Sequence, residues 1–236
     1  MDFSGRHVVI TGGTGALGNA VVGALLEAGA RCTVSFVHLS EAQRFAHSDH
    51  ERVKLVAVHD LADEPAVGKL YDGLTPWASI HLAGGFAAGA IADTAKATLI
   101  EQLDRNLVTC FLCCQAAVNA MRSGGQGGGV GGRIVNVAAR PALEWRHGAG
   151  MTAYTAAKAG VAALTVALAE EVAHDGILVN AVAPSIMDTA ANRSAMPQAD
   201  HDAWPKVEEV AATILFLASP DNRVTRGAVV PVYGKV

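Results

Sequence analysis

Seven short apolar runs, at residues 7–10, 32–37, 55–59, 79–83, 133–138, 178–183 and 228–232, alternate with stretches of helical periodicity. The helical stretches fall at 16–28, 41–47, 64–74, 95–121, 154–173 and 207–217. Short continuous apolar strands, as opposed to strands of alternating polarity, belong to a sheet buried on both faces. Strand–helix alternation makes that sheet parallel, with helices packed on each side. The expected fold class is therefore α/β, a doubly wound, mostly parallel sheet. At 236 residues the chain fits a single domain over 1–236, because α/β domains commonly reach this size. Ligands in such sheets collect beyond the carboxyl ends of the strands.

Composition removes several other readings. With 51% hydrophobic and 17% charged residues the chain is too apolar for disorder. A net charge of -4 carries no basic footprint, so nucleic acid is not an expected partner. Residues 1–6 lead directly into the first apolar run, without the basic segment and long apolar core of a signal peptide. The apolar helical stretches read as interrupted by polar residues before the roughly 18–20 a membrane span needs, so no membrane association is expected. Cys110, Cys113 and Cys114 share one helix and read, with Cys32, as small buried side chains with no metal-ligand spacing. Unpaired thiols fit a cytoplasmic location. Residues 123–132 carry seven glycines and read as a flexible surface connection. Residues 185–205 form a second long connection, of the kind that serves as a substrate loop.

Two motifs carry chemistry. Thr11-Gly12-Gly13-Thr14-Gly15-Ala16-Leu17-Gly18 lies between the first strand and the first helix. Glycines there permit a tight turn and let backbone N–H groups approach a pyrophosphate at the positive end of the helix. The placement is that of a Rossmann-type dinucleotide turn, and the missing Gly-Lys-Ser/Thr ending argues against a nucleotide hydrolase. The second motif, Tyr154-Thr155-Ala156-Ala157-Lys158, opens a helix. Residues four apart share a helical face, so a phenol and an ammonium enter one cleft as a proton donor and its electrostatic partner.

With Asp60-Leu61, Ala83-Gly84-Gly85, Asn106, Asn136-Val137-Ala138-Ala139 and the segment from Pro184 to Thr189, these motifs resemble the short-chain dehydrogenase/reductase family over nearly the whole chain. The resemblance implies an enzyme using NAD(H) or NADP(H). It implies Gly12, Thr14, Gly15 and Leu17 at the pyrophosphate, Asp60 and Leu61 at the adenine, and Ala83, Gly84 and Gly85 beneath the cofactor. Pro184, Ile186 and Thr189 would lie at the nicotinamide. Tyr154 would be the acid/base, Lys158 would bind ribose hydroxyls and lower the Tyr pKa, and Asn106 would hold a relay water. It also implies a homodimer or homotetramer through the helices around 106–121 and 154–173. The ribose 2′-hydroxyl is usually read by an Asp ending the second strand; Phe36 stands there, and only Arg44 or His38 is near, so neither nicotinamide is selected.

One departure shapes the substrate. The family's active-site Ser is Ala139 here. A dihydropteridine-reductase-like branch shares that Ala, and residues 13–18, 83–89 and 188–200 with Trp204 also resemble it, although Asn106 belongs to the wider family and not to that branch. The expected reaction is hydride transfer to an electron-poor cyclic small molecule such as a quinonoid dihydropterin. An ordinary carbonyl or alcohol substrate, with Thr152 or Ser185 replacing the Ser, is the alternative, and a non-catalytic cofactor sensor is a second. Phe86, Trp145, Met187, Met196 and Trp204 are candidates for an apolar substrate wall, and Arg140 and His147 for substrate contacts.

Overall fold

The computed structural model describes residues 1–124 and 131–236. In chain order its elements are β1 (His7–Thr11), α1 (Ala16–Glu27), β2 (Arg31–Phe36), α2 (Leu39–Arg44), β3 (Val53–Ala57), α3 (Glu64–Tyr71) and β4 (Ala78–His81). There follow α4 (Lys96–Gln102), a π-helical turn (Leu103–Val108), α5 (Thr109–Ser123), β5 (Gly132–Val137), α6 (Arg140–Leu143) and α7 (Thr152–Glu171). The chain closes with β6 (Ile177–Pro184), α8 (Ala190–Ala195), α9 (Val207–Ala218) and β7 (Val229–Val232). The Gly-rich connection read at 123–132 lies mostly outside the described residues.

All seven strands are parallel, in the order β3-β2-β1-β4-β5-β6-β7. The chain runs outward from β1 to β3, then returns to lay β4 on the other side of β1. That reversal opens a crevice beyond the carboxyl ends of β1 and β4. Period-two alternation sends successive strand side chains into two separate cores. Val8 and Ile10 pack under α1 and α9 with Val21, Leu25 and Ile214. Val9 faces the other way, toward Val67 of α3, Cys113 of α5 and Val161 of α7. The four cysteines are buried and free, as small apolar side chains would be.

Three regions differ from the sequence reading. The helix expected over 95–121 is broken into α4, the π-helical turn and α5. Helix α7 is 20 residues long with mean hydropathy 1.3, long and apolar enough to cross a membrane, contrary to the interrupted pattern expected. In this fold α7 packs on α6, β6 and the π-helical turn and buries Lys158. The connection at 185–205 is not structureless. Thr189 caps α8 by accepting from the Asn192 N–H at 3.2 Å, and the Asp188 N–H donates to the Pro205 carbonyl at 2.9 Å across its base.

Candidate active site

The crevice begins with the turn after β1. Gly12 adopts φ +68°, and a Cβ there would lie 2.6 Å from the backbone N of Ala83. A Cβ on Gly18 would lie 2.4 Å from the Gly13 carbonyl carbon, so α1 enters flush against the turn. Asn19, which sequence reasoning passed over, pins it: its Nδ2 donates to the carbonyls of Thr14 (3.0 Å) and Gly15 (2.9 Å). The only advance signal was an Asn one turn into a helix, a pattern too common to single out.

Two connected hollows follow the strand ends. An outer groove of about 1090 Å³ is lined by Gly12, Thr14, Val37, His38, Glu41 and Asp60, among others. An inner cavity of about 350 Å³ is lined by Leu17, Gly85, Asn106, Tyr154, Lys158 and Pro184, among others. Gly12, Gly15, Leu82 and Gly84 border both. Leu61 and Ala83 also line the groove. Backbone-lined glycines, an exposed helix N-terminus and an elongated hollow ending at a phenol and an ammonium fit a dinucleotide.

Three of the expected contact residues line neither hollow. Phe36 ends β2 half-buried and lines neither hollow; Val37 and His38 do so in its place. Ile186 is exposed between Ser185 and Met187, which face the inner cavity. The Thr189 hydroxyl is turned to its helix-capping bond, as described above. Asp60 is in the groove, with its Oδ1 accepting from the Ala62 N–H at 2.8 Å.

Asn106 is 1% exposed on the π-helical turn, a helix irregularity that often re-aims a functional side chain. Its Nδ2 donates to the carbonyls of Gly85 (2.9 Å) and Gln102 (3.0 Å), and its Oδ1 accepts from the Gly85 N–H at 3.2 Å. Both amide hydrogens are therefore used on backbone, and one Oδ1 lone pair remains. The side chain clamps the loop after β4. A Cβ on Gly84 would meet that Oδ1 at 2.8 Å, which explains the glycine.

Tyr154 and Lys158 lie one turn apart on α7, with Lys158 Nζ 5.9 Å from the Tyr154 ring centroid. Nζ donates to the Val137 carbonyl at 2.7 Å. Burial pushes the Tyr154 phenol up to about 12 and the Lys158 ammonium down to about 8, the latter opposed by Cys110. Burial thus outweighs the lowering of the phenol expected from Lys158, whose Nζ is held on β5. Lys158 is a cation below pH about 8 and neutral above it, so the charge it would lend a phenol acting as proton donor is lost there. The kcat/KM for reduction should be level up to pH about 8 and then fall, by about tenfold per pH unit. In Lys158→Arg, which stays charged, the descending limb should disappear.

Ala139 is buried at the inner cavity wall. Among the described residues, the hydroxyl side chains lining that cavity are Tyr154 and Ser185. Ser185 Oγ donates to the Tyr233 carbonyl at 2.8 Å, and Thr152 faces a separate hollow beside Trp145. Neither replaces the missing Ser. Of the apolar wall, Phe86 and Met187 line the cavity, with Phe86 edge-on to Tyr154 at 5.1 Å. Trp145 is exposed elsewhere, Trp204 is buried against His201, and Met196 lines neither hollow. Arg140 is engaged by Glu144 (2.8 Å) and His147 (3.2 Å) outside the cavity.

A buried polar chain runs behind the site. Tyr71 Oη and Ser79 Oγ are 2.7 Å apart, Ser79 Oγ and His81 Nε2 2.9 Å, and His81 Nδ1 and Asn136 Oδ1 2.8 Å. His81, Cys110 and Cys114 place metal-ligating atoms within 4.8 Å of one another, a grouping invisible in their sequence spacing. Both His81 nitrogens are already hydrogen-bonded, so the cluster is satisfied as a polar core.

The fold and the site together define a nicotinamide-dependent oxidoreductase. A family model described as short chain dehydrogenase matches residues 6–200. The BbsD subunit of a hydroxy(phenyl)methylsuccinyl-CoA dehydrogenase from Thauera aromatica is 31% identical, covering 99% of this chain and 97% of that protein. Galactitol 2-dehydrogenase from Rhizobium johnstonii is 33% identical over 98% of this chain and 94% of its own length. The crystal structure of gox2181 superposes with a TM-score of 0.88 at 28% identity, covering 99% and 96% of the two chains. The chain belongs to the short-chain dehydrogenase/reductase family.

Proposed function

We propose that this protein reduces an electron-poor cyclic substrate, with a quinonoid dihydropterin as the sharpest candidate. The observation carrying this reading is Ala139. Losing one hydrogen-bond donor to a developing oxyanion typically costs about 2.7–4 kcal/mol of transition-state stabilisation, and Ser185 is committed to Tyr233. A quinonoid ring, whose reduction restores a stabilised system, needs that donor far less than a ketone does. The Phe86 and Met187 walls suit a flat ring. When bound, the reduced nicotinamide supplies the hydride. Tyr154 Oη supplies the accompanying proton, Lys158 supports the charge left on it, and Asn106 holds the loop after β4 in register. One hydride and one proton reach the substrate, and the phenol is reprotonated from solvent.

A second reading, an ordinary alcohol or carbonyl substrate, is favoured by the relatives, which are named as dehydrogenases of other compounds. Initial rates of NADH and NADPH oxidation with quinonoid dihydropterin separate the two. A saturable rate above the non-enzymatic background supports the first reading; turnover confined to carbonyls or alcohols supports the second. Ala139→Ser should raise carbonyl reduction by roughly 10²-fold while changing the quinonoid rate less than about threefold. Equal gains on both would remove the argument from Ala139. Exposed Phe111 on α5 and Val166 on α7 support homodimer or homotetramer formation through those helices. Four buried free thiols support a reducing, cytoplasmic setting.

A further inference from the structure

The outer groove contains a carboxylate that no motif singled out. Glu41 lies in the first turn of α2, and its side chain folds back over the end of β2. Its Oε2 accepts from the Val37 N–H at 3.2 Å and from Thr14 Oγ1 at 3.5 Å. One carboxylate thus joins the strand that precedes α2 to the glycine turn 27 residues upstream. Both donors it occupies are neutral and border the groove. Left open, they would suit a phosphate; covered, they present negative charge. Oε1 remains free among the described residues to accept from a sugar hydroxyl.

We propose that Glu41 is a specificity-determining residue that selects NAD(H) over NADP(H), by accepting the adenosine ribose hydroxyls and repelling a 2′-phosphate. The proposal rests on the groove holding the adenosine half of the cofactor. The charged and titratable side chains around this end agree with it. Asp60 adds a second carboxylate, and His38 and His59 supply the imidazoles. Arg44, the nearest guanidinium in sequence, spends its Nε on the Ser40 carbonyl at 3.0 Å and does not line the groove. The lining cations Lys96 and Arg105 come from α4 and the π-helical turn, and Arg105 is paired with Glu101 at 3.0 Å. The usual acidic reader at the end of β2 is thus replaced from the following helix.

The plainer role for Glu41 is structural, an acidic residue steadying the start of α2. Glu41→Gln separates the two, because the amide oxygen still accepts from Val37 N–H while the charge is gone. Binding of NADH and NADPH, without substrate, is read by nicotinamide fluorescence, alongside a thermal melt. The wild type should bind NADH at least about tenfold tighter than NADPH, the scale set by like charges a few ångströms apart near a surface. Glu41→Gln should close most of that gap by tightening NADPH, with the melting temperature held. Equal affinities in the wild type, or a variant that shifts both cofactors together, would overturn the selection. Binding of neither cofactor would overturn the cofactor-groove assignment on which it depends.

Discussion

Tyr154→Phe should lower turnover by about 10²–10⁴-fold, the range that positioned acid–base groups contribute, and leave cofactor affinity nearly unchanged. The substitution removes one atom. The ring keeps its place edge-on to Phe86 at 5.1 Å, and Lys158 keeps its bond to the Val137 carbonyl. The phenol, held up to about 12 by burial, is protonated throughout the working pH range and is a ready donor in the reductive direction. In the oxidative direction the same burial disfavours the phenolate that would act as base. Because the hydroxyl sits at the inner cavity and the groove is lined by other residues, a fluorescence titration should report the same cofactor affinity in both proteins. Turnover that survives the substitution would take Tyr154 out of proton transfer.

Gly12→Ala should destabilise the fold and abolish cofactor binding together. A non-glycine residue at φ +68° pays about 1–2 kcal/mol in local strain. The new methyl would also sit 2.6 Å from the Ala83 nitrogen and 2.8 Å from its Cα, both backbone atoms. Relieving such an overlap typically adds about 1–3 kcal/mol. A total of about 2–5 kcal/mol corresponds to a fall in Tm of roughly 4–20 °C for a chain of this size. The overlap lies between the turn after β1 and the loop after β4, so its relief widens the crevice where the cofactor's phosphates would approach backbone. Gly15→Ala is the control: its Cβ would find only the Gly12 carbonyl oxygen, at an ordinary 3.5 Å. Thermal melts of the two variants should differ clearly. A Gly12→Ala protein that melts with the wild type would mean that the two loops leave room for a methyl group between them.

Most of the crevice is legible in the sequence. The apolar runs placed all seven strands, because a strand buried on both faces has few polar residues along its length. Gly12 and Gly15 announced the turn, since backbone that must bend tightly beside a ligand tolerates little else. Tyr154 and Lys158 were legible because their spacing alone puts them on one helical face. The resemblance extended this to Asp60, Ala83–Gly85, Asn106 and Pro184, all of which border the two hollows. Phe36, Ile186 and Thr189 line neither hollow, because one or two residues of register decide whether a side chain faces the groove.

The order and polarity of the elements and the chemistry of the strand ends are written in the sequence. These follow from periodicity and from backbone conformations that only particular residues adopt, both local properties. Tertiary structure alone decided who bonds to whom across the chain. Asn106 meets Gly85 at a separation of 21 residues, on a π-helical turn that has no distinct sequence period. Ser185 donates its hydroxyl hydrogen bond to the Tyr233 carbonyl, 48 residues on, and so leaves Ala139 without a substitute. Glu41 reaches back to Thr14 and turns a pair of neutral donors into an acidic site. A side chain's partner is set by where the sheet brings distant segments together, and residue type and neighbouring sequence do not contain that placement.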